Sequence, residues 1–392
     1  LRLSLENLTL LAIGLGVVLG YFFPDLSLSL SFIGEAYIAL LKMLILPIVV
    51  ASIYIAITGL ASSSELKSVG IKTFAYYLTT TALAVTLGLL IFNIFDPGAN
   101  AQLRPPSTPI EKKELDIGTF LLSFIPSNIF QALSKGAILP TIFFTILFAI
   151  ASLFIGQKKE ILYNFFDAIN EAMMVMARWI VALTPIGVLF LIAATVGKSG
   201  LDPLLELYGY ALTVLFALAL HALLILPALA YLIGRFNPYR YFTTVKEALL
   251  IAFSTASSSA TLPVSIEVAE ERGGVDKKIA GFVLPLGATI NMDGTALYES
   301  IAVMYIANLA GVDLGLSQQI LIFLTATFAS IGAAGIPGAG LIMMTMILDS
   351  VGLPTEYIAL IIAVDRFLDM FRTSINVWGD LLGAKIIDRI SR

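Results

Sequence analysis

"KEALLIAFSTASSSATLPVSIEVAEERGGVDKK", residues 246 to 278, decides the architecture of this chain. The stretch is largely apolar, and its middle, "STASSSATLP" at 254–263, is a run of small and hydroxyl residues closed by a proline. Basic residues stand on both sides: Arg235, Arg240 and Lys246 at one end, Arg272, Lys277 and Lys278 at the other. Membrane connections rich in Lys and Arg stay on the cytoplasmic side. One crossing cannot start and finish on the same side. The segment 243–270 is therefore expected to enter the membrane and turn back as a re-entrant hairpin, with its turn in the Ser/Thr/Pro run.

The membrane itself is read from composition. Of 392 residues, 58% are hydrophobic and 13% charged, with a mean hydropathy of +0.95. Soluble domains run at roughly 45–50% apolar and about 25% charged. Apolar segments fall near 7–24, 30–60, 70–95, 117–156, 161–195, 203–234, 243–270, 279–309, 315–350 and 353–385. Many reach the roughly 20 residues a helix needs to cross a bilayer. Their period is helical, and no series of alternating strands of about ten residues occurs, which argues against a β-barrel. The opening "LTLLAIGLGVVLGYFF" (8–23) has no small-residue cleavage signal after it and reads as a first membrane helix. With no cysteine, disulfides, thiolate metal sites and cysteine nucleophiles are excluded. The net charge of −4 gives no reason to expect a nucleic-acid partner.

The remaining basic residues extend the orientation. Lys67 and Lys72, Lys158 and Lys159, and Lys385, Arg389 and Arg392 mark further cytoplasmic connections. Both termini are then cytoplasmic, and the Pro-rich loop at 96–116 lies outside. The connections near 310–315 and 350–356 carry no basic residue, so the segment 315–350 between them starts and ends outside. It is expected to be a second hairpin. Its tip, "GAAGIP" (332–337), matches "SSATLP" (258–263) in pattern: small, small, Ala, small, branched aliphatic, Pro. Two such units of opposite orientation form an inverted repeat, a recurring plan of secondary transporters. Non-helical backbone at membrane depth is tolerated where it lines a cavity, so the two tips should meet at a binding site.

Polar residues follow each hairpin. Asp365, Asp369, Arg372, Thr373, Asn376 and Asp380 are spaced to share one helix face, opposite Ile362, Phe367, Leu368, Phe371 and Ile375. Ionisable groups at this depth default to a functional role, although Asp369 and Arg372 at i, i+3 could also form a structural ion pair. Asn291 and Asp293, in "INMDGT", and the hydroxyls of Tyr77, Thr80 and Thr81, in "YYLTTTALAV", offer the oxygen ligands that hard cations take. Gly294 is expected to let the helix unwind and free its carbonyls. The lone histidine, His221, has no partner nearby in sequence and reads as a packed intramembrane residue.

"SSSATLP" (257–263), "GATINMDGTALYE" (287–299), "ASIGAAGIPGAG" (329–340) and "DMFRTSINVWGD" (369–380) occur together and in order. In these motifs the chain resembles the glutamate/aspartate transporter family, the dicarboxylate/amino acid:cation symporters, and the likeness covers nearly its whole length. The resemblance implies an all-α membrane protein with eight transmembrane helices, two re-entrant helical hairpins and inverted repeats. It also implies an elevator-type homotrimer of the cell (inner) membrane in a prokaryotic member of the family. Residues 1–69 and 96–195 would form a scaffold, and 70–95 and 196–392 a transport domain. The activity implied is sodium-coupled import of L-glutamate or L-aspartate.

The family's site carries over by position. Ser257 and Ser258 would hold the substrate main-chain carboxylate, and the second tip, Ile336 to Gly340, would close over it. Asp369 would take the α-amino group and Arg372 the side-chain carboxylate, with Thr295, Thr373 and Asn376 completing the pocket. One sodium would sit with Gly287, Asn291, Asn376 and Asp380. A second would use backbone oxygens near Thr289, Met292, Ser330, Ile331 and Ala333. A third would use Tyr77, Thr80, Thr81, Asn291 and Asp293. Glu299 stands where the excitatory carriers have a proton-carrying glutamate. Desolvation favours the neutral form of a carboxyl group, consistent with that role; a salt bridge to Arg366 or Arg372 is the competing reading.

Two departures matter. Archaeal relatives carry an Arg at the position of Ala256, and excitatory carriers carry one at Met370; this chain has neither, leaving Arg366 to support Arg372. Proton-coupled bacterial relatives tend to have Asn where this chain has Asp380, which favours sodium. A proton-coupled carrier, or a neutral amino acid or dicarboxylate carrier, remains the alternative within the family. Outside it, a channel is disfavoured because the stripe mixes Asp, Arg and Asn rather than repeating one charge. An intramembrane protease built on Ser257 lacks a nearby base.

Overall fold

The computed structural model describes residues 5–59, 64–98, 122, 125–201, 207–331 and 338–391. Among them every regular element is helical. The first half comprises α1 (Leu5–Phe22), α2 (Pro24–Ser29), α3 (Ser31–Gly59), α4 (Ser64–Phe95), α5 (Ile129–Ser134), α6 (Ile138–Ser152), α7 (Lys159–Ala182) and α8 (Thr184–Ser199). The second half comprises α9 (Leu207–Leu232), α10 (Pro238–Thr255), α11 (Ser258–Glu267), α12 (Lys277–Ile290), α13 (Asp293–Leu309), α14 (Leu316–Ile331), α15 (Ala339–Val351) and α16 (Ile358–Ser391).

Local chemistry sets several boundaries. The Asn237 side chain accepts from the Arg240 N–H with Pro238 in the first turn, so α10 starts there. Asp276 caps α12 by accepting from the Lys278 N–H at 2.8 Å. Ser257 caps α11 by accepting from the Ala260 N–H at 3.2 Å. Between α10 and α11 lies Ala256, in the left-handed region at φ 48°. The expected first hairpin is thus two packed helices around a turn at Ala256–Ser257. α14 and α15 pack in the same way. Their connecting tip at 332–337 lies outside the described residues, as does most of the loop at 96–116.

The helices pack in two groups. α1, α2, α3, α6, α7 and α8 contact one another, with α8 against α1 and α3 against α7 as the main seams. α4 and α9 to α16 form the second group around α13, in which every residue but Asn308 is buried. A helix buried all round is the interior of a large bundle. The groups meet where α8 touches α16 and α3 touches α15.

Among the described residues, Ser68–Phe95 and Leu207–Leu232 are long and apolar enough to cross a bilayer unaided, and two bent pairs raise the number to up to four. Other expected spans fall short of that test for local reasons. Segment 161–195 breaks before Pro185, between α7 and α8. Segment 279–309 breaks at Asn291 and Met292, both with non-helical backbone. α16 is continuous but carries the charged stripe. On α9, Leu212, Phe216, Leu223 and Leu224 are exposed, as a lipid-facing surface would be.

Candidate functional site

The six polar residues of α16 are all buried, and Arg372 completely so. Its Nη2 lies 2.9 Å from Asp365 Oδ1 and 2.8 Å from Asp369 Oδ1. These are ionic contacts off the line of a good hydrogen bond, and Nε and Nη1 have no hydrogen-bond partner among the described residues. The guanidinium carbon sits 3.8 Å from the centre of the Tyr298 ring on α13, a cation–π contact. The Tyr298 hydroxyl donates to Asp365 at 2.7 Å, so tyrosine and carboxylate hold the arginine together. The i, i+3 pairing of Asp369 with Arg372 therefore does form. Arg366 approaches Asp369, at 3.9 Å. It braces that carboxylate, whereas the support of Arg372 comes from Asp365 and Tyr298.

The second hairpin reaches this group. The Gly338 N–H donates to Asp369 Oδ2 at 3.0 Å, and Gly338 is left-handed at φ 79°. A side chain on Gly340 would come within 2.9 Å of Arg372 Nη1 and 3.3 Å of the Thr295 methyl. Thr295 also accepts from the Asn376 amide at 3.2 Å, and Thr373 is buried on the same helix. Arg372, Asp369, Asn376, Thr295 and Gly340 are thus brought together as expected. Ser257 and Ser258 are buried at the first hairpin turn. Ile336 and Ala333 lie outside the described residues.

A second group sits at the break between α12 and α13. Asp293 accepts from Thr81 at 2.7 Å and Thr80 at 3.1 Å. Asn291 bridges onward: its amide donates to Asp380 at 2.9 Å, and its carbonyl oxygen accepts from Thr80 at 3.4 Å. A side chain on Gly287 would strike the Asp380 carboxylate and the Tyr77 hydroxyl. The Tyr77 hydroxyl donates to the Val283 carbonyl at 2.9 Å rather than to either carboxylate. The first and third cation groups expected from the sequence are therefore one connected cluster, with Asn291 as hinge. Of the second group, Thr289 and Ser330 bond their own helices, and Met292 sulfur accepts from Asn376. Ser330 and Ile331 line a narrow cleft with Tyr77 and Thr81.

This donor set suits a hard monovalent cation. It is oxygen-rich and buried, and its two carboxylates have no Lys or Arg partner among the described residues. Among those residues, no cluster of three or more His, Asp or Glu converges as a transition-metal site would.

The sequence comparison fits this geometry. The model of the sodium:dicarboxylate symporter family matches residues 5–390. The chain belongs to that family. It is similar to excitatory amino acid transporter 3 of Mus musculus, 37% identical over 98% of this chain and 85% of that protein. It is also similar to the proton/glutamate-aspartate symporter of Bacillus subtilis, 34% identical over 97% of this chain and 93% of that protein. The proton/sodium-glutamate symport protein of Geobacillus stearothermophilus is 34% identical over 96% of the chain and 91% of its own length.

Two features of this symporter-family chain, His221 and Gly294, differ from the sequence reading. His221 is packed, as expected, yet it has a partner: Nε2 lies 3.2 Å from Asp293 Oδ2. Gly294 is not where the helix unwinds; it lies in the first turn of α13. Its missing side chain lets the Arg372 backbone approach, since a Cβ there would stand 2.6 Å from the Arg372 carbonyl oxygen. Glu299 is buried, and neither of its carboxyl oxygens has a hydrogen-bond partner among the described residues. Asp365 was visible in the stripe, but its role in holding Arg372 required Tyr298, which no spacing rule connects to it.

Proposed function

We propose that this chain is a sodium-coupled symporter that imports acidic amino acids, L-glutamate or L-aspartate, across the cell (inner) membrane. The observation that carries the reading is Arg372: a completely buried guanidinium whose Nε and Nη1 have no hydrogen-bond partner among the described residues, beside Gly340 and Asp369. A carboxylate is the group that geometry would take. Asp369 would exchange its contact with Arg372 for the substrate ammonium, and Ser257 and Ser258 would take the main-chain carboxylate. The Asn291–Asp293–Asp380 cluster would hold the co-transported sodium ions, and through Asn376 and Thr295 it adjoins the substrate pocket. Sodium and substrate would then stabilise one closed arrangement of the second hairpin.

The same reading assigns eight transmembrane helices and two re-entrant hairpins, with both termini cytoplasmic, in a homotrimer. Residues 1–69 and 96–195 would be the scaffold, and 70–95 and 196–392 a transport domain sliding against it. The division into two packing groups supports this. Glu299 would carry a proton with the substrate, which its unpartnered carboxyl supports.

Proton coupling in place of sodium is the second reading, favoured by that same carboxyl and by the name of the Bacillus subtilis relative. Uptake of radiolabelled aspartate and glutamate into liposomes, with and without a sodium gradient, tests both. Saturable sodium-dependent uptake is expected. Undiminished uptake in sodium-free buffer driven by a proton gradient would replace the first reading with the second. Preference for a neutral amino acid, or for a dicarboxylate without an amino group, would remove the roles of Arg372 or Asp369.

A further inference from the structure

Helix α9 does not run as a regular α-helix. It changes to π winding over His221–Ile225, and the N–H of Leu226 bonds the carbonyl of His221, five residues back. Pro227 follows at once. Two carbonyls in the turn lose their usual partners. That of Ala222 would receive Leu226 in an α-helix, which is diverted, or Pro227 in a π-helix, which has no N–H. That of Leu223 would receive Pro227. Side chains from other helices replace both: Trp378 Nε1 donates to Ala222 at 3.1 Å, and the Tyr239 hydroxyl donates to Leu223 at 2.8 Å. The irregular turn is therefore supported from outside, and Trp378 belongs to the same stretch of α16 as Asn376 and Asp380.

The residue that opens this turn is His221, fully buried, with Nε2 at 3.2 Å from Asp293 Oδ2. Its Nδ1 has no partner among the described residues. A bare ring nitrogen is tolerable as an acceptor and expensive as a buried N–H, so the geometry fits the neutral tautomer with the proton on Nε2. That N–H holds one oxygen of Asp293 while Thr80 and Thr81 hold the other. A neutral donor fixes the carboxylate and leaves its negative charge for a cation.

We infer that His221, aimed by the π turn of α9, is a positioning residue for cation binding: it orients the Asp293 carboxylate within the Asn291–Asp293–Asp380 cluster. The inference rests on the sodium reading above. Three donors from two helices hold the carboxylate, so that a sodium ion meets it ready-oriented. Outer-shell partners of this kind tune affinity without touching the ion.

The test is sodium binding to the purified full-length protein without substrate, followed by the sodium dependence of thermal unfolding and by direct binding of radioactive sodium. Four proteins are compared: wild type, His221→Gln, His221→Asn and His221→Leu. A glutamine amide reaches about as far as Nε2, whereas that of asparagine stops near Nδ1. His221→Gln should keep sodium affinity within about threefold of wild type, and His221→Asn and His221→Leu should lose about tenfold or more. Aspartate affinity at saturating sodium should change little in all of them. A merely structural histidine would lower the unfolding temperature while leaving the sodium midpoint in place. If His221→Leu does not fold, His221→Asn against His221→Gln carries the comparison. Sodium affinity in His221→Leu or His221→Asn equal to that of wild type overturns the inference, as does equal loss in His221→Gln. A wild type that binds no sodium overturns the sodium reading and this inference with it.

Discussion

Arg372 and Asp369 sit side by side in the structure, and their pairing sharpens what each substitution should do. Nη2 of Arg372 is engaged by carboxylates, while Nε and Nη1 have no hydrogen-bond partner among the described residues. A substrate carboxylate would use those free donors, and charge-assisted hydrogen bonds contribute roughly 1.5–3 kcal/mol each. Arg372→Cys should therefore weaken acidic substrate binding by at least about 100-fold, roughly 2.7 kcal/mol. It should also open the pocket to serine, alanine or threonine. Unchanged aspartate affinity in competition uptake would refute the role. Asp369→Asn should abolish amino acid binding of every kind, because the ammonium loses its counter-charge. Glu299 acts at a different point. Its carboxyl oxygens have no hydrogen-bond partner among the described residues, and as a proton carrier it would load a proton on one face of the membrane and release it on the other. In Glu299→Gln proteoliposomes, the pH dependence of uptake should flatten and proton co-movement should disappear. A mutant with the wild-type pH profile would make Glu299 structural.

The elements show which parts of this arrangement a sequence can carry. The turn between α10 and α11 was legible because the Ser/Thr/Pro run at 254–263 interrupts an apolar segment, which Lys246 and Lys277 bracket. The stripe on α16 was legible because helix periodicity converts spacing into a shared face, and its members are all buried. The break between α12 and α13 showed itself as Asn and Asp in an apolar run. The contact of His221 with Asp293 was not legible. The two lie 72 residues apart, and the π turn that sets the direction of the ring leaves no mark on hydrophobic period. Gly294 illustrates a subtler failure. A glycine near a helix break suggests backbone freedom, but here it is a contact residue: α13 and α16 touch backbone to backbone at Gly294 and Arg372. Gly294→Ala should force these helices apart and displace Arg372. A well-packed interior resists such an insertion at a cost of about 1–3 kcal/mol. Aspartate affinity should fall with it, while Gly281→Ala, at a helical glycine with open space around it, should lower neither stability nor affinity. Equal behaviour of the two variants in thermal unfolding and uptake would remove the close-approach argument.

At the scale of the whole molecule, the second hairpin reaches the buried cluster through Gly338 and Asp369, and the helices that carry the cluster form one packing group, which meets the other where α8 touches α16 and α3 touches α15. A carrier that moves its binding cluster as a body must expose one hairpin to each side in turn. Ser258, at the turn of the first hairpin, and Gly338, at the start of the second hairpin's returning arm, are the positions at which that alternation should be read. The chain contains no cysteine, so single cysteines at these positions are the sole thiols. Under conditions that favour the inward-facing state, Ser258→Cys should react with a membrane-impermeant thiol reagent applied from the cytoplasmic side. Gly338→Cys should react from the external side in the outward-facing state. Sodium and aspartate together should slow both reactions, because the closed arrangement buries the two tips around substrate. Gly338 has φ 79°, so its cysteine variant is strained, and Ala339→Cys, one residue on at the start of α15, serves as its control. If the first hairpin reacts only from outside and the second only from the cytoplasm, the orientation drawn from the basic residues is wrong. If both react equally from both sides regardless of sodium and substrate, the helices around α13 do not move as a carrier must.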